Sequence, residues 1–248
     1  MTTSRQLDRL CVVLVATRNP LNLGAAARAM SNFGCPSLRV VRPYEASFRE
    51  ARSAVGAEEL LAKAQQFDNV ADAVADCSLV VGTTAAQART LQHPLKPLEK
   101  AAAIVRRRLA FSRVALLFGS EKRGLSNQDM SHCHWLLRIP TRDAHASMNL
   151  GQAVAICLYE LVRLPKRTEK ALTRKPAMAA DLERVTQLLV DALQASGYAR
   201  GVGGKSIEED LRRLVIRLEL DEFDSQLWLG MLRQILWKIR SAEKATKE

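Results

Sequence analysis

Short apolar runs alternate with amphipathic stretches through the first two-thirds of the chain. Five runs rich in Val and Leu, each bounded by Gly, Pro, Thr or Arg, have the length and composition of buried strands. These predicted strands cover residues 10–16, 38–41, 78–82, 114–118 and 135–139. Helices are predicted between and after them, at residues 23–33, 46–66, 71–75, 98–109 and 149–164. The alternation predicts an α/β fold in which a parallel sheet carries helices on both faces.

The pattern changes after residue 163. Residues 163–176 contain six basic residues, one acidic residue and two prolines, and this composition without an apolar period predicts a linker. Beyond it, Leu, Ile, Val and Trp recur at spacings of three and four, which predicts amphipathic helices at 182–193, 208–218 and 227–239. We therefore expect an α/β domain at 1–164, a basic linker at 165–177 and a small all-α C-terminal extension at 178–248.

The charge balance points to a polyanionic partner. The chain has 248 residues, of which 37 are Lys or Arg and 26 are Asp or Glu, so its formal net charge is +11. An excess of this size favours nucleic acid as the partner. Aromatic residues make up only 5% of the chain, which disfavours an RNA-binding platform built from stacked aromatic side chains.

Hydropathy and cysteine usage predict a cytoplasmic protein with no membrane association. No apolar run approaches the roughly 18 residues of a membrane span. Residues 10–16, the longest apolar run near the start, precede no small-residue cleavage site, so we expect no signal peptide. The five cysteines are odd in number and widely spaced, a pattern typical of reduced thiols rather than of a disulfide framework.

A helix rich in small residues follows the first predicted strand. Asn22 is a candidate N-cap, and Gly24 with the three alanines after it allows the helix backbone to approach a partner closely. Arg28 lies within this helix, where a long cation has little local reason to be. The same residues are also compatible with a tightly packed helix whose arginine reaches solvent.

Polar residues also follow the fourth and fifth predicted strands, at the sheet edge where parallel sheets bind ligands. Glu121, after the fourth strand, can hold a hydroxyl, an amine or a backbone amide; the alternative is a surface loop before a helix capped by Ser126. After the fifth strand, Ser147 and Asn149 stand at a helix N-terminus, where free backbone amides bind polar ligands. Ordinary N-capping explains Ser147 and Asn149 equally well.

Several other signals are discounted. Residues 201–206 end like a phosphate-binding loop, but Ala199 replaces the first glycine of that motif and no strand precedes it. The cluster at 132–134 has no second ligand pair at zinc spacing, so we expect no metal. No G-x-G-x-x-G follows the first strand, which disfavours a dinucleotide site, and nothing pairs His93 or His145 with a nucleophile.

The order of three motifs resembles a known family. Asn-Leu-Gly-Ala-Ala-Ala-Arg at 22–28, Phe-Gly-Ser-Glu-x-x-Gly-Leu at 118–125 and Ser-Met-Asn-Leu-x-Gln-Ala-Val at 147–154 are together similar to the signature of the TrmH-like SPOUT RNA methyltransferases. The resemblance covers residues 8–164. It implies a C-terminal deep trefoil knot in that domain, S-adenosylmethionine (SAM) as cofactor, and a homodimer whose site lies near the subunit contact. Knots are rare, so this expectation rests on the resemblance alone.

The resemblance also implies roles for individual residues. Arg28 takes the role of base toward a ribose 2′-hydroxyl, and Asn22, Glu121, Ser147 and Asn149 orient Arg28 and the ribose. Because a guanidinium stays protonated at neutral pH, Arg28 can instead clamp the adjacent phosphate and stabilise the developing alkoxide. The residues implied to bind SAM lie in three loops and are Thr83, Thr84, Ala85, Gly119, Glu121, Ile139, Ala146, Ser147 and Met148.

The predicted helical tail resembles the C-terminal extension of one subgroup of the family. Members of that subgroup methylate the 2′-hydroxyl of the pyrimidine at position 32 in the tRNA anticodon loop. The resemblance therefore implies tRNA as substrate, and we expect scattered cations to set RNA affinity and its salt dependence. The candidate cations are Arg28, Arg163, Lys166, Arg167, Lys170, Arg174, Lys175, Arg200, Lys205, Arg212, Arg213 and Arg217.

Two alternatives keep the same fold. In the first, the same chemistry acts on ribosomal RNA. In the second, the chain is a catalytically silent RNA-binding protein. The presence of all five implied catalytic residues argues against the second. A nucleotide hydrolase that uses Lys205 and Ser206 is disfavoured, because the glycine and the strand of a phosphate-binding loop are missing.

Overall fold

A computed structural model gives the fold for residues 4–44, 56–85, 92–163, 175–198 and 204–245. Within these ranges, seven strands form one sheet in the order β3-β2-β1-β6-β4-β7-β5, and every neighbouring pair is parallel. The strands are β1 (Leu10–Val15), β2 (Ser37–Val41), β3 (Gln65–Phe67), β4 (Leu79–Thr83), β5 (Leu95–Pro97), β6 (Val114–Phe118) and β7 (Trp135–Arg138).

Ten α-helices lie in the same described ranges, and a 3₁₀ turn spans Asp143–His145. The helices are α1 (Ser4–Leu7), α2 (Pro20–Phe33), α3 (Glu58–Ala62), α4 (Val70–Val74), α5 (Leu98–Leu109), α6 (Asn127–Ser131), α7 (Leu150–Val162), α8 (Ala179–Ala195), α9 (Gly204–Arg217) and α10 (Glu222–Ala245). None of these helices is both long and apolar enough to cross a membrane.

The five strands predicted from apolar runs are confirmed as β1, β2, β4, β6 and β7. Strands β3 and β5 were not predicted, because each has three residues, lies at an edge of the sheet and is largely exposed. The helix predicted at 46–66 is wrong at its end, where Gln65 and Gln66 belong to β3. Its described part is α3, and residues 45–55 lie outside the described ranges.

The two faces of the sheet pack against different helices. Even-numbered residues of β1 lie in a core with α2, α5 and α7, whereas its odd-numbered residues lie in a second core with α4 and α6. Every residue of β1 is buried. This is the burial expected of a central strand in a parallel sheet that helices cover on both faces.

The helices α8, α9 and α10 pack around a separate core. Its buried residues are Ala177, Leu182, Val185, Val215, Ile216, Leu229 and Leu232. At the start of α8, the backbone N–H groups of Ala179 and Ala180 donate to the carbonyls of Cys77 (2.7 Å) and Ala75 (3.0 Å), just beyond the end of α4. The first amides of a helix have no acceptor within the helix, so this contact supplies them with partners and fixes where α8 begins.

Candidate functional site

The main cavity of the α/β part lies where three neighbouring strands end. Because β6, β4 and β7 are adjacent and parallel, the loops after their carboxyl ends meet at one edge of the sheet. These loops enclose a cavity of about 400 Å³. All nine residues implied to bind the cofactor line it, namely Thr83, Thr84, Ala85, Gly119, Glu121, Ile139, Ala146, Ser147 and Met148.

The cavity has an apolar lining with a few polar groups. The apolar side chains include Phe118, Leu125, Met130, Leu137 and Leu150. The hydroxyl of Thr83 donates to the carbonyl of Leu117 at 2.9 Å, and the backbone N–H of Thr84 donates to the carbonyl of Leu137 at 3.0 Å. These bonds tie the end of β4 to both neighbouring strands. Such a cavity suits a small molecule with an apolar body and polar ends.

The loop after β6 turns back on itself. The N–H of Gly124 donates to the carbonyl of Ser120 at 2.8 Å, and Gly124 has a φ of +66°, which favours glycine. A Cβ on Gly119 would lie 2.1 Å from the carbonyl carbon of Gly124, so only glycine fits there. The tight return of the loop holds Glu121 at the mouth of the cavity.

Glu121 is bonded to the N-terminal end of α2. Its carboxylate accepts from the backbone N–H groups of Arg18 (3.5 Å) and Asn19 (3.3 Å) and from Nδ2 of Asn22 (3.1 Å). A carboxylate at a helix N-terminus also interacts favourably with the helix dipole. Residues 99 to 103 positions apart in the chain are thereby held together.

Asn149 completes this hydrogen-bond chain. Its Nδ2 donates to Oδ1 of Asn22 at 2.8 Å, while its own Oδ1 accepts from the backbone N–H groups of Gly151 (2.9 Å) and Gln152 (3.3 Å). Asn149 is therefore the N-cap of α7 and also a contact to α2. The N-capping interpretation of Asn149 is confirmed, and the amide can also contact α2 because it has both a donor and an acceptor.

The N-cap of α2 is Asn19, so the assignment of Asn22 as N-cap is wrong. Oδ1 of Asn19 accepts from the backbone N–H of Leu21 at 2.9 Å, and Pro20 occupies the first turn. An Asn followed directly by Pro is a start signal for a helix, since proline lacks the amide that would otherwise be unpaired there. That signal could have identified Asn19. The N-cap of α6 is Ser126, as the sequence predicted.

Arg28 is the one implied catalytic residue that belongs neither to the cavity lining nor to the bonds among Asn22, Glu121 and Asn149. It lies on an exposed part of α2, and a Cβ on Gly56 would be only 1.5 Å from its Nη1, so the guanidinium packs against that glycine. The cavity lining in the described residues includes Glu121 and Ser147 but not Arg28. Four of the five implied catalytic residues therefore line the cavity or bond to a residue that does, and Arg28 stands apart.

The comparison with known families agrees with this geometry. The model of the SpoU rRNA Methylase family matches residues 9–159, a range that contains all three cavity loops. The chain belongs to the SpoU rRNA Methylase family.

Relatives of this SpoU-family chain share most of its length. It is 35% identical to tRNA (cytidine/uridine-2′-O-)-methyltransferase TrmJ of Sodalis glossinidius, over 92% of each chain. It is 31% identical to the TrmJ of Photorhabdus laumondii, over 92% of this chain and 97% of that protein. The crystal structure of TrmJ from Z. mobilis ZM4 matches with a TM-score of 0.79 and 29% identity, over 91% of this chain and 98% of the other. These relatives extend over the C-terminal helices as well as the α/β part.

Most cations expected to contact RNA are either engaged in ion pairs or outside the described residues. Arg212 is 5% exposed and donates to the carboxylates of Glu183 and Glu208, and Arg213 is 8% exposed and donates to Asp210. The expectation that Arg212 and Arg213 contact RNA is wrong, because buried and neutralised guanidiniums cannot reach a phosphate.

The remaining cations divide into three groups. Arg163 forms a bidentate pair with Glu160, and Lys175 pairs with Glu222 at 2.9 Å. Arg217 is exposed near the end of α9. Lys166, Arg167, Lys170, Arg174 and Arg200 lie outside the described residues, and for Lys205 only the backbone is described.

Two of the four histidines of this methylase-family chain, His132 and His134, are held uncharged by burial. Burial lowers the pKa of His132 and His134 to about 4, and the ring of His134 accepts a hydrogen bond from the backbone N–H of Val80. His132 is therefore uncharged at neutral pH, and its 3.8 Å approach to Glu183 is not an ion pair. Among the described residues, no cluster of His, Cys, Asp and Glu could hold a metal ion.

Proposed function

We propose that this chain is a SAM-dependent RNA ribose 2′-O-methyltransferase that methylates the pyrimidine at position 32 of the tRNA anticodon loop. The observation that carries the proposal is the meeting of the three family motifs at one cavity, through the bonds from Glu121 to Asn22 and from Asn22 to Asn149. The kinship to TrmJ proteins, whose names specify tRNA and the cytidine or uridine 2′-hydroxyl, supports tRNA as the substrate.

The cavity has the chemistry that SAM requires. Its apolar lining can take the adenine, and Thr84, Glu121 and Ser147 offer polar groups to the ribose and the amino acid end. The same neighbourhood lacks the glycine-rich loop of a dinucleotide site. When bound, SAM supplies an electrophilic methyl group on a sulfonium, and we assign its binding to the three cavity loops.

The chain's own side chains position the acceptor. We assign the bonded group of Asn22, Glu121 and Asn149 to orienting the ribose at the cavity mouth, together with Ser147. A guanidinium stays protonated at neutral pH, so we assign Arg28 to holding the phosphate next to the ribose and stabilising the alkoxide as it forms. Alignment of the two reacting groups is the main requirement of such a displacement.

We further propose that the chain works as a homodimer joined through α2 and α7. Leu21 on α2 is 80% exposed, and Ile156 and Tyr159 are exposed on α7, the helix that packs against α2. Large apolar side chains grouped on one surface are typical of a subunit contact. The same helices carry Asn22 and Asn149, so this contact would lie next to the cavity. The trefoil knot belongs to this proposal, and we assign it to the C-terminal part of the α/β domain.

The domain division at 1–164, 165–177 and 178–248 is also proposed. The separate core of α8, α9 and α10 supports it. We assign RNA binding to the C-terminal helices together with the basic linker, because six basic residues fall within 163–176 of the sequence and Arg217 is exposed at the end of α9.

Methyl transfer from labelled SAM tests the proposal. Unmodified tRNA transcripts and ribosomal RNA are incubated separately with the enzyme, and the products are digested and analysed by nucleoside mass spectrometry. We expect a 2′-O-methylated pyrimidine at tRNA position 32. Methylation at position 34 only would contradict the assigned position, methylation of ribosomal RNA only would contradict the substrate, and SAM binding without any transfer would favour the silent RNA-binding alternative.

A further inference from the structure

A second cavity lies in the groove between α8 and α10. Its volume is about 360 Å³, and none of its lining residues lines the cavity at the strand ends. Leu188 of α8 and Leu236 of α10 contribute apolar surface to it. The polar and aromatic lining comes from Arg233, Trp237, Arg240 and Ser241, all on α10.

Trp237 is unusually exposed for a tryptophan. It is 60% exposed, whereas Leu229, Leu232 and Leu236 of the same helix are buried. The other tryptophans differ, since Trp135 is buried in β7 and Trp228 is half-buried against the core of the C-terminal helices. An indole carries a large apolar face that gains free energy when it is covered, so a ligand in this cavity would gain binding free energy from Trp237.

Two guanidiniums flank this indole. The spacing of Arg233, Trp237 and Arg240 along α10 places them on one side of the helix. Arg233 makes no hydrogen bond or ion pair with any residue that the structure describes, and Arg240 has Asp191 at 3.7 Å as its recorded partner. The groove therefore carries a net positive charge, in contrast to the buried guanidiniums of Arg212 and Arg213 on α9, each of which pairs with at least one carboxylate.

We propose that this groove binds an unpaired nucleotide of the RNA substrate. The base stacks on the indole of Trp237, and the flanking phosphates bind Arg233 and Arg240. An unpaired nucleotide fits because a base inside a duplex does not offer its face to a side chain, whereas a splayed base does. The inference rests on the proposed RNA substrate, and it names a place at which the C-terminal helices hold that substrate.

The first test compares Trp237→Ala and Trp237→Phe in the full chain. Equilibrium binding to a labelled tRNA transcript is measured at one fixed salt concentration, with SAM affinity measured in parallel as a check of folding. Because base–aromatic stacking contributes substantially to binding, we expect Trp237→Ala to lose about tenfold in RNA affinity and Trp237→Phe to keep most of it. SAM affinity should not change. Equal RNA affinity of all three proteins would overturn the proposal.

The second test uses a matched pair of charge removals on one helix. Arg233→Ala and Lys238→Ala each remove one positive charge from α10, but Lys238 does not line the groove. We expect Arg233→Ala to reduce the slope of log affinity against log salt by about 0.7 to 0.9, the value for one lost phosphate contact. A reduction of the same size in Lys238→Ala would overturn the proposal in favour of a diffuse charge effect.

The outcomes separate this proposal from the proposed function. If the unaltered enzyme methylates tRNA while Trp237→Ala and Arg233→Ala bind tRNA as it does, the groove proposal fails and the methyltransferase assignment stands. If the unaltered enzyme transfers no methyl group, the tRNA-binding measurements still show whether the groove binds RNA. A changed sedimentation mass of Trp237→Ala without loss of RNA affinity would overturn the proposal and assign the groove to a contact between chains.

Discussion

The side-chain amide of Asn22 has a partner on each of its two polar atoms. Nδ2 donates to Glu121 and Oδ1 accepts from Asn149, so the rotamer of Asn22 is defined from both sides. An aspartate at this position could still accept from Asn149 but would place a second carboxylate against Glu121, and like charges at this distance repel. The asparagine is therefore matched to its two neighbours, and the three residues fix how α2 meets the cavity mouth.

Replacement of Arg28 should affect turnover and not cofactor binding. Arg28 lies outside the cavity lining, so Arg28→Ala should leave the SAM dissociation constant unchanged in isothermal titration calorimetry. Loss of one group that stabilises developing negative charge should lower kcat by about 10²-fold. Single-turnover methylation of a tRNA transcript with saturating SAM measures this effect.

Arg28→Lys is the control for charge at that position. Lysine keeps the positive charge but cannot bind a phosphate through two parallel hydrogen bonds, so it should recover only part of the lost rate. A loss of SAM affinity as large as the loss of kcat in Arg28→Ala would contradict the assignment, because it would place Arg28 in the cofactor site.

The helices α2 and α7 pack closely because they carry small residues where they meet. A Cβ on Gly151 of α7 would lie 2.6 Å from the Cβ of Ala25 and 3.1 Å from its carbonyl carbon. Since backbone cannot yield as a flexible side chain can, any larger residue would push the two helices apart. The contact between Asn22 and Asn149 spans this same pair of helices, so the spacing of the helices and the geometry of the site are linked.

Gly151→Ala should destabilise the chain and slow the reaction. Alanine gains at most about 1 kcal/mol in helix propensity, whereas overpacking of a close contact costs about 1–3 kcal/mol, so the net change in the free energy of unfolding should be a loss of about 1 kcal/mol. Urea unfolding measures this loss. The displaced α7 should also weaken the bond between Asn149 and Asn22, which lowers kcat.

Gly230→Ala is the matched substitution in α10. A Cβ on Gly230 meets no atom within 4 Å, so only the propensity gain remains, and the variant should be more stable by about 0.5–1 kcal/mol with unchanged kcat. If both variants shifted the urea midpoint in the same direction, close packing of α2 and α7 would not be the cause.

At the scale of the whole molecule, stability should fall steadily as the solution becomes acidic. Burial lowers the pKa of His93, His132 and His134 to about 4 in the folded chain, whereas an unfolded histidine titrates near 6.5. Between these values the unfolded state binds protons that the folded state does not, so the free energy of unfolding decreases as pH falls from about 6.5 to about 4. Each histidine should contribute up to about 1.4 kcal/mol per pH unit.

Urea unfolding at pH 7, 6 and 5 measures this slope, and His134→Asn is its control. The side-chain carbonyl of asparagine can replace the ring nitrogen that accepts from Val80, but it does not titrate. The variant should therefore show a shallower decline in stability between pH 6.5 and 5. An unchanged slope would mean that His134 is not held neutral by its surroundings.

Mixed dimers test whether Arg28 serves the cavity of its own chain. Arg28 lies outside that cavity, so we predict that each site takes Arg28 from the second subunit. Arg28→Ala and Ser147→Ala chains, each inactive alone, should then form a heterodimer with one intact site. With random assortment of equal amounts, about a quarter of the unaltered activity should return. No recovery after refolding the two chains together would place Arg28 and Ser147 of one chain in the same site.

Much of the candidate site was predictable from the sequence. The residues around 83–85, 119–121 and 139–148 line one cavity, as the resemblance to the SPOUT family implied, and they meet there because the three strands before them are adjacent and parallel. The sequence could not give the contacts of Arg18 and Asn19 with Glu121, which involve backbone amides and carry no signature of residue type. The sequence also could not show that Arg212 and Arg213 are buried while other cations are exposed, since burial and ion pairing depend on which residues the fold brings next to them.

The sequence by itself determined the elements that depend on local patterns. Apolar runs specified the five inner strands, since residues buried on both faces of a sheet are mostly apolar, and the capping residue Ser126 specified where α6 begins. Only the tertiary structure decided the strand order, the exposed edge strands, the pairing of Asn22 with Asn149 and the groove beside Trp237. These features depend on contacts between residues far apart in the chain, and neither residue of such a contact carries information about its partner's position.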